Sequence, residues 1–191
     1  MTDVQRISIQ RPDIAMRADL AVPDGPGPWP GVVVVHDAFG LTEDNRTNLR
    51  RFADNGFLAV APDLYARGGV RCVVRTIMAV QRRSGPAVDD VLAARDLLVA
   101  RSDCTGAVGI AGFCMGGGFA LVLASRGFDA SAPFYPSMAP FYDSVAQGAC
   151  PVVASFGRRD PMNPGSGPRL ERALNRNNVP NNVKKIGRAH V

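Results

Sequence analysis

Gly112-Phe113-Cys114-Met115-Gly116, followed by Gly117 and Gly118, sets a thiol among residues with almost no side-chain bulk. A nucleophile on a strand-to-helix turn needs such neighbours, because the turn is tight and strained. At a helix start, free N–H groups and the positive end of the helix dipole favour a thiolate, and later an oxyanion. The competing reading is a buried cysteine beside glycines that let a helix pack closely. A second signal is Val35-His36-Asp37-Ala38-Phe39-Gly40-Leu41, which puts a carboxylate at the end of an apolar strand, where parallel sheets open their ligand crevice. A third is Pro151-Val152-Val153-Ala154-Ser155-Phe156-Gly157-Arg158-Arg159-Asp160, a strand running into a loop with an acid. Alone, Asp160 is a solvated loop residue or a helix cap. Its place after Cys114 promotes it, because nucleophile, then acid, then histidine is a recurrent triad order. Histidine is scarce: the chain has His36 and His190. His36 adjoins the Asp37 segment and reads as a mouth or packing residue. His190 follows Asp160 by 30 residues.

These residues need elements to hold them. Val4 to Gln10 and Ile14 to Val22 show β-like alternation around the turn Arg11-Pro12-Asp13. Gly31 to His36 is a β-branched run of the kind buried on both sheet faces. Glu43 to Asn55 reads as a helix stopped at Gly56, and Phe57 to Ala61 as a strand halted by Pro62. Gly68 to Pro86 is basic and irregular and receives no assignment. Ala87 to Arg101 has helical apolar spacing, Ala107 to Ala111 reads as a strand, and Met115 to Ser125 as an apolar helix. Ala130 to Tyr135 and Val152 to Phe156 read as strands and Gly167 to Asn175 as a helix. Strands alternating with helices predict an α/β domain with a mostly parallel sheet covered on both faces.

Composition narrows the class. With 191 residues, 46% hydrophobic and 20% charged, the chain fits one globular domain and is too apolar for disorder. The net charge is +5, but the basic residues are scattered and lack aromatic company, which argues against nucleic-acid binding. No apolar run approaches membrane-spanning length, and Met1 to Arg11 is polar. Cys72, Cys104, Cys114 and Cys150 show no close pairing and no histidine-rich context. A reduced cytoplasmic setting without a metal site is expected.

Taken together, HDAFGL, APDLYARGG at Ala61 to Gly69, GFCMGGGFA and the strand ending in FGRRD resemble the dienelactone hydrolase family, in order over nearly the whole chain. The resemblance implies an α/β-hydrolase fold and a Cys-Asp-His triad, with Cys114 as nucleophile, Asp160 as the orienting acid and a later histidine as base. It implies an oxyanion hole from the backbone N–H groups of Ala38 and Met115. Asp37 stands where the family usually has glutamate, a carboxylate that meets the resting thiol. One methylene shorter, Asp37 is expected to make a longer contact or none. The implied reaction is hydrolysis of a lactone or small ester through a thioester, without cofactor or metal. Its substrate is a small molecule carrying a carboxylate, for which Arg67, Arg71 and Arg75 are candidate ligands, with a solvated basic loop as the competing reading. A monomer or weak homodimer is expected. Two other readings stay open: a catalytically silent binding module, and thiol redox chemistry at Cys114 with Cys150 or Cys104 nearby.

The end of the chain departs from this pattern. The family carries a Tyr-Pro-x-Ala-Gly-His-x-Phe loop, whereas this chain reads Val183-Lys184-Lys185-Ile186-Gly187-Arg188-Ala189-His190-Val191. Of the 22 basic residues only Lys184 and Lys185 are lysine. Lys-Ile-Gly-Arg-Ala-His-Val can be encoded by AAG ATC GGA AGA GCA CAC GTC, a string found in a common sequencing adapter. One expectation is therefore an incomplete domain over 1–184, lacking the C-terminal part of the fold, with a non-native tail at 185–191. The other is a genuine short C-terminus in which His190 is the base.

Overall fold

The computed structural model describes residues 2–68, 70–137, 141–158 and 164–187, without the side chains of Val70 and Arg71. Eight strands form one sheet: β1 (Val4–Gln10), β2 (Ala15–Ala21), β3 (Trp29–Val35), β4 (Leu58–Pro62), β5 (Cys104–Phe113), β6 (Ala130–Phe134), β7 (Val152–Gly157) and β8 (Asn181–Ile186). Their spatial order is β1-β2-β4-β3-β5-β6-β7-β8. β1 pairs antiparallel with β2 and β2 with β4, and every later pairing is parallel. Parallel neighbours require crossovers, supplied by α1 (Glu43–Asp54), α2 (Val70–Arg82), α3 (Pro86–Val99), α4 (Met115–Leu123), α5 (Tyr142–Ala146) and α6 (Ser166–Arg176).

The central strands are apolar on both faces because both faces are covered. Val33 and Val35 join Val88, Val91, Leu98 and Phe119 of α3 and α4 in the largest core cluster. Val32 and Val34 face the other way, onto Leu49 and Ala53 of α1. A further cluster seats Leu170, Ala173 and Leu174 of α6 on Val152, Ala154 and Phe156 of β7. Among the described residues, α1 is the one helix on its face, packed against the β1–β4 half. On the β7 side of that face Val153 is 53% exposed.

Three elements differ from the sequence expectation, the first being the short α5, which received no assignment. Gly68 to Pro86 contains α2, a full helix whose buried residues Cys72, Thr76, Ala79 and Val80 recur at helical spacing. The chain also adds β8, whose pairing with β7 runs through Lys184, Lys185 and Ile186 and so crosses the 184/185 boundary. As an edge strand with one face on α6, β8 tolerates polar residues at nearly every position.

Candidate active site

β5 delivers the chain to Cys114, and α4 begins at the next residue. Cys114 has φ 53° and ψ −113°, an unfavourable backbone for a residue with a Cβ. Three backbone hydrogen bonds hold it there. Its N–H donates to the Phe134 carbonyl at 3.1 Å, and its carbonyl accepts from Gly118 N–H at 3.1 Å and Ser137 N–H at 3.0 Å. The flanking glycines are demanded by proximity. A Cβ on Gly112 would stand 2.1 Å from the Gly116 carbonyl oxygen, and one on Gly116 would stand 2.2 Å from that of Val35. The second contact presses the first turn of α4 onto the end of β3.

That contact brings the 36–40 segment beside the thiol turn. Ala38 is exposed and Met115 is buried at the first position of α4. Among the described residues neither amide N–H donates to a protein acceptor. The Tyr65 hydroxyl donates to the Ala38 carbonyl at 3.1 Å and lies 3.7 Å from the Met115 sulfur, so it spans the two segments. Burial pushes this phenol up to about 12, so it remains a donor at neutral pH. The Tyr135 phenol is also raised, mainly by burial and further by Cys114 and Asp37.

Asp37 is turned into its own loop, where its carboxylate accepts from Phe39 N–H at 2.8 Å. The described hydrogen-bond partner of the Cys114 thiol is instead the Ser137 hydroxyl, at 3.5 Å. Ser137 was not among the sequence candidates, and its place a few residues past β6 is the one signal that could have found it.

His36 is a packing residue rather than a mouth residue: it is fully buried and both its ring nitrogens are bonded within the protein. Asp160 and His190 lie outside the described residues. In sequence they follow the ends of β7 and β8, adjacent parallel strands in the sheet.

The candidate arginines separate. The Arg67 guanidinium is held by Asp13, at 2.7 Å from Nε, and by Asp90, which also takes Arg11 Nε at 2.9 Å. It lines a cavity of about 100 Å³ with Leu64, Gly68, Cys72, Arg75, Thr76, Pro86 and Ala87. Arg75 is exposed on α2, and the side chain of Arg71 lies outside the described ones. All four cysteines are free thiols. Burial pushes Cys150 up to about 11. Among the described residues no three His, Cys, Asp or Glu side chains converge, and no helix is long and apolar enough to cross a membrane.

Known proteins are similar to this chain in sequence and fold. A carboxymethylenebutenolidase from Pseudomonas putida is 29% identical over 132 residues, covering 64% of this chain and 56% of that enzyme. The crystal structure of a dienelactone hydrolase-like promiscuous phosphotriesterase from metagenomic libraries superposes with a TM-score of 0.83 at 26% identity, over 97% of this chain and 82% of that one. A Pyrobaculum calidifontis esterase, at 17% identity and a TM-score of 0.73 over 97% of this chain and 75% of that one, shares the fold. The matches span between 40% and 71% of the length of the first three curated relatives. The model of the dienelactone hydrolase family matches residues 16–189. The chain belongs to the dienelactone hydrolase family, with its α/β-hydrolase fold.

Proposed function

We propose that the protein hydrolyses a lactone or small carboxylic ester with Cys114 as nucleophile. The observation that carries this reading is the strained backbone of Cys114, at φ 53° between two glycines that admit no Cβ. Strain of this sort persists only where surrounding contacts enforce it, and it concentrates at functional sites.

Cys114 passes its thiol proton to the His190 imidazole, and the resulting thiolate attacks the ester carbonyl, whose electron pair moves onto oxygen. The N–H groups of Ala38 and Met115 receive that oxyanion. One such donor is typically worth about 2.7–4 kcal/mol in the transition state. Collapse expels the alkoxide, which takes a proton from the imidazolium of His190 and leaves a thioester on Cys114. Water, deprotonated by the same imidazole, then hydrolyses the thioester to a carboxylic acid and the free thiol. Asp160 orients the imidazole. Support for His190 and Asp160 is their order in the chain beyond two neighbouring strands. With Arg67 occupied by Asp13 and Asp90, Arg71 and Arg75 are the arginines we assign to a substrate carboxylate.

The test uses p-nitrophenyl acetate, with p-nitrophenol release and intact mass followed together. An acetylated Cys114 that turns over, lost in Cys114→Ala and trapped as acyl-enzyme in His190→Ala, is the expected result. Hydrolysis that survives Cys114→Ala overturns the nucleophile, and turnover that survives His190→Ala overturns the base. Acylation without turnover in the wild-type chain marks a silent binding module or a domain lacking its base, and peroxide sensitivity without acylation marks thiol redox chemistry.

A further inference from the structure

His36 is a buried titratable group that the proposed chemistry does not use. It directly follows β3 and has no solvent exposure. The backbone N–H of Leu64 donates to its Nε2 at 3.2 Å. A backbone amide can only donate, so Nε2 is the acceptor nitrogen and the proton sits on Nδ1. Nδ1–H in turn donates to the Asp37 carbonyl at 2.6 Å. The Asp37 carbonyl and the Ala38 N–H belong to one planar trans peptide group and point in opposite directions. Anchoring the carbonyl on a buried imidazole therefore aims the amide outward. A peptide whose carbonyl accepts a hydrogen bond is also polarised, which makes its N–H a better donor. The Tyr65 hydroxyl fixes the following peptide through the Ala38 carbonyl, and its ring meets His36 edge-on at 4.9 Å between centroids.

We propose that His36 is a positioning residue: its neutral Nδ1–H form, clamped by the Leu64 N–H, sets the direction and donor strength of the Ala38 amide in the oxyanion hole. The proposal rests on the Cys114 reading above. The titratable groups facing the imidazole are Asp37 on its own loop and Asp63 after β4, with Tyr65 beside it. Burial outweighs the pull of both carboxylates and favours the neutral ring. An imidazolium would set a proton on Nε2 against the Leu64 N–H, so the clamp excludes the charged form.

Two amide variants separate the nitrogens. His36→Asn offers an N–H near the place of Nδ1, and His36→Gln an oxygen acceptor near the place of Nε2. Acylation of Cys114 by p-nitrophenyl acetate is compared with its alkylation by iodoacetamide, which passes through no oxyanion. We expect His36→Gln to acylate about 10²-fold more slowly, the effect of losing one oxyanion donor, and His36→Asn to stay within about tenfold of wild type. Both should alkylate at the wild-type rate. Wild-type acylation in His36→Gln removes the role of His36 and leaves Cys114 standing. A parallel fall of acylation and alkylation in both variants also overturns the proposal, since it reports general disorder of the site. If the wild-type chain takes no acyl group, the Cys114 reading falls and this one with it. Nitrogen NMR of the wild-type imidazole needs no variant: a neutral Nδ1–H ring at neutral pH is expected, and an Nε2–H ring or an imidazolium overturns the assignment.

Discussion

Gly116→Ala tests whether the thiol turn and the end of β3 are held by direct backbone contact. The added Cβ would stand 2.2 Å from the Val35 carbonyl oxygen and 2.6 Å from that of His36. Ordinary contact begins at 3.4 Å, so the first turn of α4 must retreat from β3 by on the order of 1 Å. Neither obstacle can rotate away, since both are main-chain atoms at the end of a central strand. Overpacking of this kind destabilises by roughly 1–3 kcal/mol, and the helix propensity of alanine offsets up to about 1 kcal/mol. A net loss of about 1–2 kcal/mol lowers Tm by about 2–8 °C in a chain of this size. The same retreat carries Cys114 and the Met115 N–H away from the Ala38 N–H, and a misplacement of about 1 Å slows chemistry by about 10²-fold. Thermal unfolding by circular dichroism and Cys114 acylation by p-nitrophenyl acetate read the two effects. Gly187→Ala, with nothing among the described residues within 4 Å of its added Cβ, is the control. A Gly116→Ala protein that keeps both its Tm and its acylation rate would refute the reasoning.

Three other outcomes follow from the described contacts. Arg67→Met leaves the fully buried Asp90 carboxylate with Arg11 alone; we expect a loss of about 3 kcal/mol, near the lower end for a broken buried pair, read as a shift of the urea midpoint. Burial lowers the His36 pKa, so below its ordinary 6.5 the unfolded chain binds a proton that the folded one refuses. Stability is therefore full above that pH and declines as pH falls below it, by at most about 1.4 kcal/mol per pH unit, and urea midpoints of wild type and His36→Asn should converge in acid. Iodoacetamide near neutral pH should modify Cys114 before buried Cys72 and before Cys150, whose thiol is pushed up to about 11; peptide mapping that finds Cys150 labelled first contradicts the assigned environments.

Much of the sheet was legible because burial on both faces writes itself as unbroken apolar runs. Gly31 to His36 and Phe57 to Ala61 read directly as strands, and the structure has them at Trp29–Val35 and Leu58–Pro62. The α2 segment was hidden by its charges. Arg71, Arg75 and Arg82 punctuate a helix in which six of thirteen residues are β-branched, and Gly68-Gly69 precede it in sequence in place of a Ser, Thr, Asp or Asn. Yet Cys72, Thr76 and Ala79 carry the helical spacing once Arg75 and Arg82 are assigned to the solvent face. The β8 strand was obscured for the opposite reason: Asn181-Asn182-Val183-Lys184-Lys185-Ile186 has little apolar content, because an edge strand needs only one face and one partner. At the site, the glycine spacing around Cys114 exposed the thiol turn. Arg67 read as a candidate for a substrate anion, but its partners Asp13 and Asp90 are distant in sequence and gave no local sign of the pairing.

The division has a physical basis. Backbone requirements are local, so a residue forced to positive φ beside two positions without room for a Cβ leaves a signature within five residues. Side-chain partners are set by the fold. The Asp37 carboxylate is taken up by the Phe39 N–H two residues on, while the Cys114 thiol meets Ser137 from the far end of β6. The oxyanion hole we propose belongs to the first kind in its chemistry and to the second in its alignment. Its proposed donors are main-chain N–H groups supplied by any sequence, but the peptide that carries the Ala38 N–H is bonded through the Asp37 carbonyl to an imidazole whose own tautomer is set by the Leu64 N–H, beyond another strand. Substitutions at His36 should therefore alter the reactivity of the hole without touching either the thiol or the substrate, and Tyr65→Phe, which frees the next peptide, should add to the loss less than additively, because both residues restrain the same segment.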